Sequence, residues 1–141
     1  MRAKIAKNFT WEMSHRLPYH QAGCRNIHGH SYKMRVELEG DLDEFGMVLD
    51  YYQIKQIVMP LVNRLDHCFL CDSNDDLMID FLKENNFRYV IMDDFSTAEN
   101  IVHFILNELK HEFSKYDNLG LLKIRLQESA EVFAENEIRL K

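Results

Sequence analysis

The sequence is poor in cysteine, proline and glycine, with three, two and five among 141 residues. An odd number of thiols excludes a complete disulfide framework within one chain. No Pro/Gly/Ser-rich linker, internal repeat or low-complexity segment divides the chain, and its length suits a single domain over residues 1–141. No apolar run approaches the roughly 20 residues of a membrane span, and the N-terminal MRAKIAKNF holds no apolar stretch of signal-peptide length. Positive charge is also scarce. Seventeen Lys and Arg against 23 Asp and Glu leave a net charge of -6, which argues against a general nucleic-acid binder. The hydrophobic share of 46% and charged share of 28% are those of a soluble globular protein. The expectation is a reduced, cytoplasmic protein with neither nucleic acid nor membrane as partner.

What the chain does have is clear periodicity. From Met1 to His15 the odd positions are mostly apolar (Ala3, Ile5, Phe9, Trp11, Met13) and the even ones mostly polar, the mark of a half-buried strand. Tyr32, Met34, Val36 and Leu38 alternate with Lys33, Arg35, Glu37 and Glu39 in a second strand, and Leu122, Ile124 and Leu126 mark a third. Val132, Ala134, Ile138 and Leu140 share a phase in a fourth. Two helical patterns lie between the second and third strands. Asp50 is placed to cap the first, which carries Ile54, Ile57, Val58, Leu61, Val62 and Leu65, and Pro60 is expected to kink or break it. Ser96-Thr97-Ala98-Glu99 reads as a capping box opening the second. A helix-strand segment at about 74–94 intervenes. The class is α+β: a four-stranded antiparallel sheet with one covered and one wet face.

Chemistry concentrates in CRNIHGHSY, Cys24 to Tyr32. Residues i and i+2 of a strand point the same way, so His28 and His30 share the apolar face, and His15 continues the phase of Trp11 and Met13. Three converging neutral imidazoles suit Zn²⁺ with an open coordination position; three separately satisfied strand-end histidines fit the same pattern. Glu128 falls in the buried phase of the third strand, where a carboxylate needs a specific donor or a place at the rim. Asp66-His67, at the end of the first helix, has the composition of an oriented general base or of an ordinary charged helix end. Cys24 lies in a loop beside Arg25. Cys68-Phe69-Leu70-Cys71 lacks a second ligand pair and is taken as incidental.

In order, FTWEMSHRL, CRNIHGHSY, GMVLDYYQIK, LDHCFL, STAEN and LQES resemble the 6-pyruvoyl-tetrahydropterin synthase/6-carboxytetrahydropterin synthase family from the first strand to the third. The resemblance implies that His15, His28 and His30 hold zinc, that Cys24, Asp66 and His67 are catalytic, and that Glu128 anchors the pterin. It implies the tunnelling fold (T-fold), with a barrel closed across subunits, a homo-oligomer that is a dimer of trimers, and active sites at subunit interfaces. The implied substrate is 7,8-dihydroneopterin triphosphate. The three residues between Cys24 and His28 resemble the carboxy branch, which yields 6-carboxy-5,6,7,8-tetrahydropterin, acetaldehyde and triphosphate towards queuosine; the pyruvoyl branch only eliminates triphosphate. A non-catalytic pterin- or purine-binding protein and a structural zinc protein are the alternatives. Arg16, Arg25 and Lys33 are candidate cations for the triphosphate. Phe95 departs from the family pattern, where a proline usually stands.

Overall fold

Residues 1–141 are described in a computed structural model. Strand β1 (Arg2–His15) pairs antiparallel with β2 (His28–Asp41) over 14 residues, from Arg2 opposite Asp41 to His15 opposite His28. β5 (Leu119–Ser129) and β6 (Val132–Arg139) extend the sheet antiparallel beyond β2. The alternation of apolar residues thus sets register as well as strand identity, since a one-residue slip would carry every apolar side chain to the wet face.

The sheet has six strands rather than four. Between β2 and β5 the chain forms α1 (Tyr51–Leu65), β3 (Cys68–Asp72), α2 (Asp76–Glu84), β4 (Tyr89–Met92) and α3 (Ala98–Phe113), giving the order β4-β3-β1-β2-β5-β6. β3 runs parallel to β1, paired only at Met13 and Ser14, and β4 runs parallel to β3. Sequence alternation misses β3 because all five of its residues are buried, so the apolar and polar sides do not differ. Cys68 and Leu70 join the main core, whereas Phe69 and Cys71 pack on the opposite face with Met78 and Leu82 of α2. The two thiols of the C-x-x-C therefore face apart, and burial pushes each up to about 11.

α1 and α3 cover the Trp11/Tyr32/Met34 face, burying Ile54, Val58, Leu61 and Leu65 from one helix and Ile101, Ile105, Leu109 and Phe113 from the other. Asp50 caps α1 as expected, accepting from the Tyr52 amide. Pro60 does not end the helix. It and Gln56, whose carbonyl loses its intrahelical donor, are both exposed, so water can satisfy that carbonyl. The cap of α3 is displaced by one residue from the expected box. Thr97, not Ser96, accepts from the Asn100 amide, and Ser96 is released for another task.

Candidate functional site

His15 ends β1 and is 2% exposed. His28 and His30 lead off β2 on the same face and are half-buried. The ring centroids lie 4.6 to 5.3 Å apart, and one ligand nitrogen from each ring lies within 4.8 Å of the others. Gly29 permits this, because a Cβ there would sit 3.2 Å from the Met13 carbonyl. Two of the three tautomers are set by a backbone acceptor: His15 Nδ1 donates to the Ser96 carbonyl at 2.7 Å, and His28 Nδ1 to the Asn26 carbonyl at 2.7 Å. Their Nε2 atoms then carry lone pairs, the state a metal ligand requires. Burial, opposed by the Ser96 bond and reinforced by the two neighbouring rings, lowers His15 to about 4, so it is neutral at physiological pH.

Two observations bear on whether a cation suits this group of rings. His15 Nε2 and His30 Nε2 are buried and have no hydrogen-bond partner. The Glu128 carboxylate stands 2.8 Å from His30 Nε2 and 3.7 Å from His15 Nε2, with neither contact meeting hydrogen-bond geometry. Beside the His15 Nε2 lone pair a carboxylate oxygen is repulsive unless a positive charge or a donor joins them. Glu128 therefore lies on the face that strand phase gives it, and there it meets the histidine cluster. It also lines a cavity of about 410 Å³ beside the edge strand β6 and the start of α3, with Ala98, Val132 and Phe133.

Asp66 and His67 follow α1. The Asp66 carboxylate accepts from the Glu12 amide at 2.9 Å, and His67 Nδ1 lies 3.0 Å from it. The Glu12 amide first, then His67, holds Asp66 below the usual carboxylate range. His67 has a left-handed backbone, φ +59, unusual for a residue with a side chain, and its own amide donates to the Glu12 carbonyl at 2.6 Å. The pair is thus hung on the edge of β1, with the imidazole 72% exposed. His67 lines a cavity of about 550 Å³ on the α2 side of the sheet with Glu12, His30, Ser31, Phe81 and Arg88.

Cys24 occupies a 3-10 turn, Gly23–Arg25, half-buried and reduced. Its carbonyl accepts from the Leu17 amide at 2.8 Å. Among the candidate cations, Arg16 is committed to Asp75, and Lys33 lies on the sheet face opposite His30. Sequence reasoning overlooked Ser96, Asn26 and Glu12. All three act through backbone groups, which side-chain patterns do not reveal. Ser96 was hidden behind its apparent role as a cap.

A family model described as 6-pyruvoyl tetrahydropterin synthase matches residues 4–138. A 6-carboxy-5,6,7,8-tetrahydropterin synthase of Haemophilus influenzae is 36% identical over 140 residues, 94% of this chain and 96% of that protein. One of Aquifex aeolicus with the same name is 32% identical over 145 residues, 88% and 89% of the two chains. The 6-pyruvoyl tetrahydropterin synthase structure from Plasmodium vivax superposes with a TM-score of 0.80 at 20% identity, covering 99% of both chains. The three-helix, mixed-sheet α+β chain has the T-fold and belongs to the 6-pyruvoyl tetrahydropterin synthase family.

Proposed function

We propose that this chain is a zinc-dependent 6-carboxy-5,6,7,8-tetrahydropterin synthase. It converts 7,8-dihydroneopterin triphosphate and one water to 6-carboxy-5,6,7,8-tetrahydropterin, acetaldehyde and triphosphate, on the route to queuosine. The observation that carries the reading is the set of three imidazoles with two orphaned Nε2 atoms beside the Glu128 carboxylate. The names of the relatives at 36% and 32% identity support the carboxy product, as does the three-residue spacer between Cys24 and His28.

His15, His28 and His30 hold the zinc in this reading. Bound there, zinc supplies Lewis acidity toward the substrate's side-chain hydroxyls and the C–H groups beside them. Glu128 accepts hydrogen bonds from the pterin's amino and ring N–H groups, which also relieves its repulsion from the imidazoles. Cys24 and the Asp66-oriented His67 exchange protons with the substrate side chain. No separate redox cofactor enters, because ring reduction and side-chain oxidation offset one another.

The open edges of the sheet support assembly of the site between copies. β1 has no strand partner other than β2 along Arg2–Glu12, and β6 ends the sheet on the opposite side. Antiparallel pairing of one copy's β6 with the next copy's β1 closes a barrel. That pairing sets the Asp66–His67 pair, at Glu12, beside the neighbouring copy's Val132 and Glu128 cavity. A dimer of trimers in the cytoplasm completes the reading; the three free thiols agree with a reducing compartment.

The test is incubation of zinc-loaded protein with 7,8-dihydroneopterin triphosphate, followed by mass spectrometry and an acetaldehyde assay. The expected products are the carboxypterin and acetaldehyde. A pyruvoyl product without acetaldehyde assigns the other branch, and substrate that binds but stays unchanged reduces the chain to a pterin-binding protein. Metal-loaded protein that neither binds nor alters the substrate overturns the proposal.

A further inference from the structure

We infer that Arg16 and Asp75 are positioning residues: their largely buried ion pair locks the Cys24 loop to the strand that carries His15 through α2. The role assigned to Cys24 rests on the function proposed above; the holding of the loop does not.

Arg16 Nε and Nη2 each donate at 2.7 Å to one oxygen of Asp75. The two side chains are 16% and 4% exposed. A guanidinium with both edge donors engaged by a buried carboxylate is a fixed fork, not a cation waiting for an anionic ligand. Asp75 is also the cap of α2, accepting from the Met78 amide. Arg16 follows His15, and its carbonyl accepts from Ser96 Oγ at 3.4 Å, the serine whose carbonyl holds the His15 ring. The next residue, Leu17, donates its amide to the Cys24 carbonyl. Beyond the fork, Arg25 and Ile27 of the loop face Leu77 and Met78 of α2 across a cavity of about 490 Å³.

The three parts thus meet at residues 15–17: the metal ligand through Ser96, the loop through Leu17, and α2 through Arg16. The cavity leaves the loop lightly packed against α2, so the fork is its firm link to that helix. A buried pair of this kind contributes little net stability compared with apolar residues of similar size, and its effect falls on which conformation is held. A structural role and a positioning role therefore give different results on apolar replacement.

The decisive variant is Arg16→Met with Asp75→Leu, which removes both charges together. Cys68 and Cys71 are buried and pushed up to about 11, so iodoacetamide at neutral pH reports on Cys24. In the folded double variant Cys24 is expected to alkylate at least about fivefold faster than in the parent, because the loop opens more often. Turnover of dihydroneopterin triphosphate is expected to fall by about tenfold to 100-fold in kcat with little change in KM or zinc content, since small misplacements of a reacting group cost that much. Alkylation and kcat both within about twofold of the parent, in a variant with parental circular dichroism, overturn the inference. If the double variant does not fold, Arg16→Lys decides, because it keeps the charge and loses the fork: intermediate alkylation supports the lock and parental alkylation overturns it. Faster alkylation in a protein whose parent has no turnover keeps the lock and discards the enzyme reading.

Discussion

His15 is 2% exposed, with Nδ1 held by the Ser96 carbonyl and its ring packed against two others, whereas the His67 side chain is 72% exposed on left-handed backbone at the edge of β1. The first histidine is finished within one chain. The second is oriented by Asp66 and Glu12 but faces open space. The difference separates two demands on a site. A metal ligand must be neutral, dry and fixed before the metal arrives, and the core supplies those conditions. A proton-moving group must meet substrate, and its remaining surroundings can come from another copy of the chain. Backbone strain persists at His67 because its amide is held by the Glu12 carbonyl and its ring by Asp66, which itself accepts from the Glu12 amide.

That contrast can be broken most severely at the metal end. His30→Ala is expected to abolish zinc retention, read by elemental analysis, and to lower turnover on the order of 10³-fold or more through loss of Lewis-acid stabilisation. His67→Ala should lower kcat by about 10²- to 10⁴-fold. It should leave zinc content unchanged and stability within about 0.5 kcal/mol of the parent, because the side chain is exposed. Loss of metal from that variant would mean that the two regions are not separate. The thiols sharpen the same division between interior and surface. Cys68 and Cys71 have folded pKa values raised above the ordinary thiol, so their stabilisation is complete below pH 9 and is lost as pH rises through about 11. Each shift corresponds to roughly 2–3 kcal/mol. Urea midpoints should therefore decline over that range, and Cys71→Ala should remove about half of the decline. The smallest effect is the most pointed. Co-assembled His30→Ala and His67→Ala chains are expected to recover about a quarter of parental activity, because a head-to-tail ring creates that fraction of intact shared sites. No recovery in mixed oligomers would place both halves of the site within one chain.

Much of this was legible in the sequence because strand phase is a simple code. The pairing of Met13 with His30 and of His15 with His28 follows the alternation that runs back to Ala3 and forward to Leu38. Glu128 lies where the phase of Leu122, Ile124 and Leu126 puts it. Less legible were features governed by burial on both sides or by backbone groups. β3 has no alternation to read. Pro60 sits in a helix whose solvent side tolerates the missing bond. The motif Ser96-Thr97-Ala98-Glu99 permits caps at either of two neighbouring residues, and the His15 ring decides between them by claiming Ser96. The Arg16–Asp75 fork joins residues far apart in sequence, so no local pattern announces it.

All three imidazoles belong to one hairpin, with only the 16–27 loop between its strands. Closing so short a loop has a small entropic cost, and its contacts are among the fastest a chain can form. Glu128 arrives about a hundred residues later, with Ser96 between them in the order of synthesis. In the proposed reading the three ligands converge first in the nascent hairpin, and the Ser96 contact that fixes His15, the covering helices and the Glu128 carboxylate are added afterwards. Metal capture and substrate recognition then become successive events in the making of the protein, and chelation during synthesis should reduce the yield of folded chain more than chelation of the finished one.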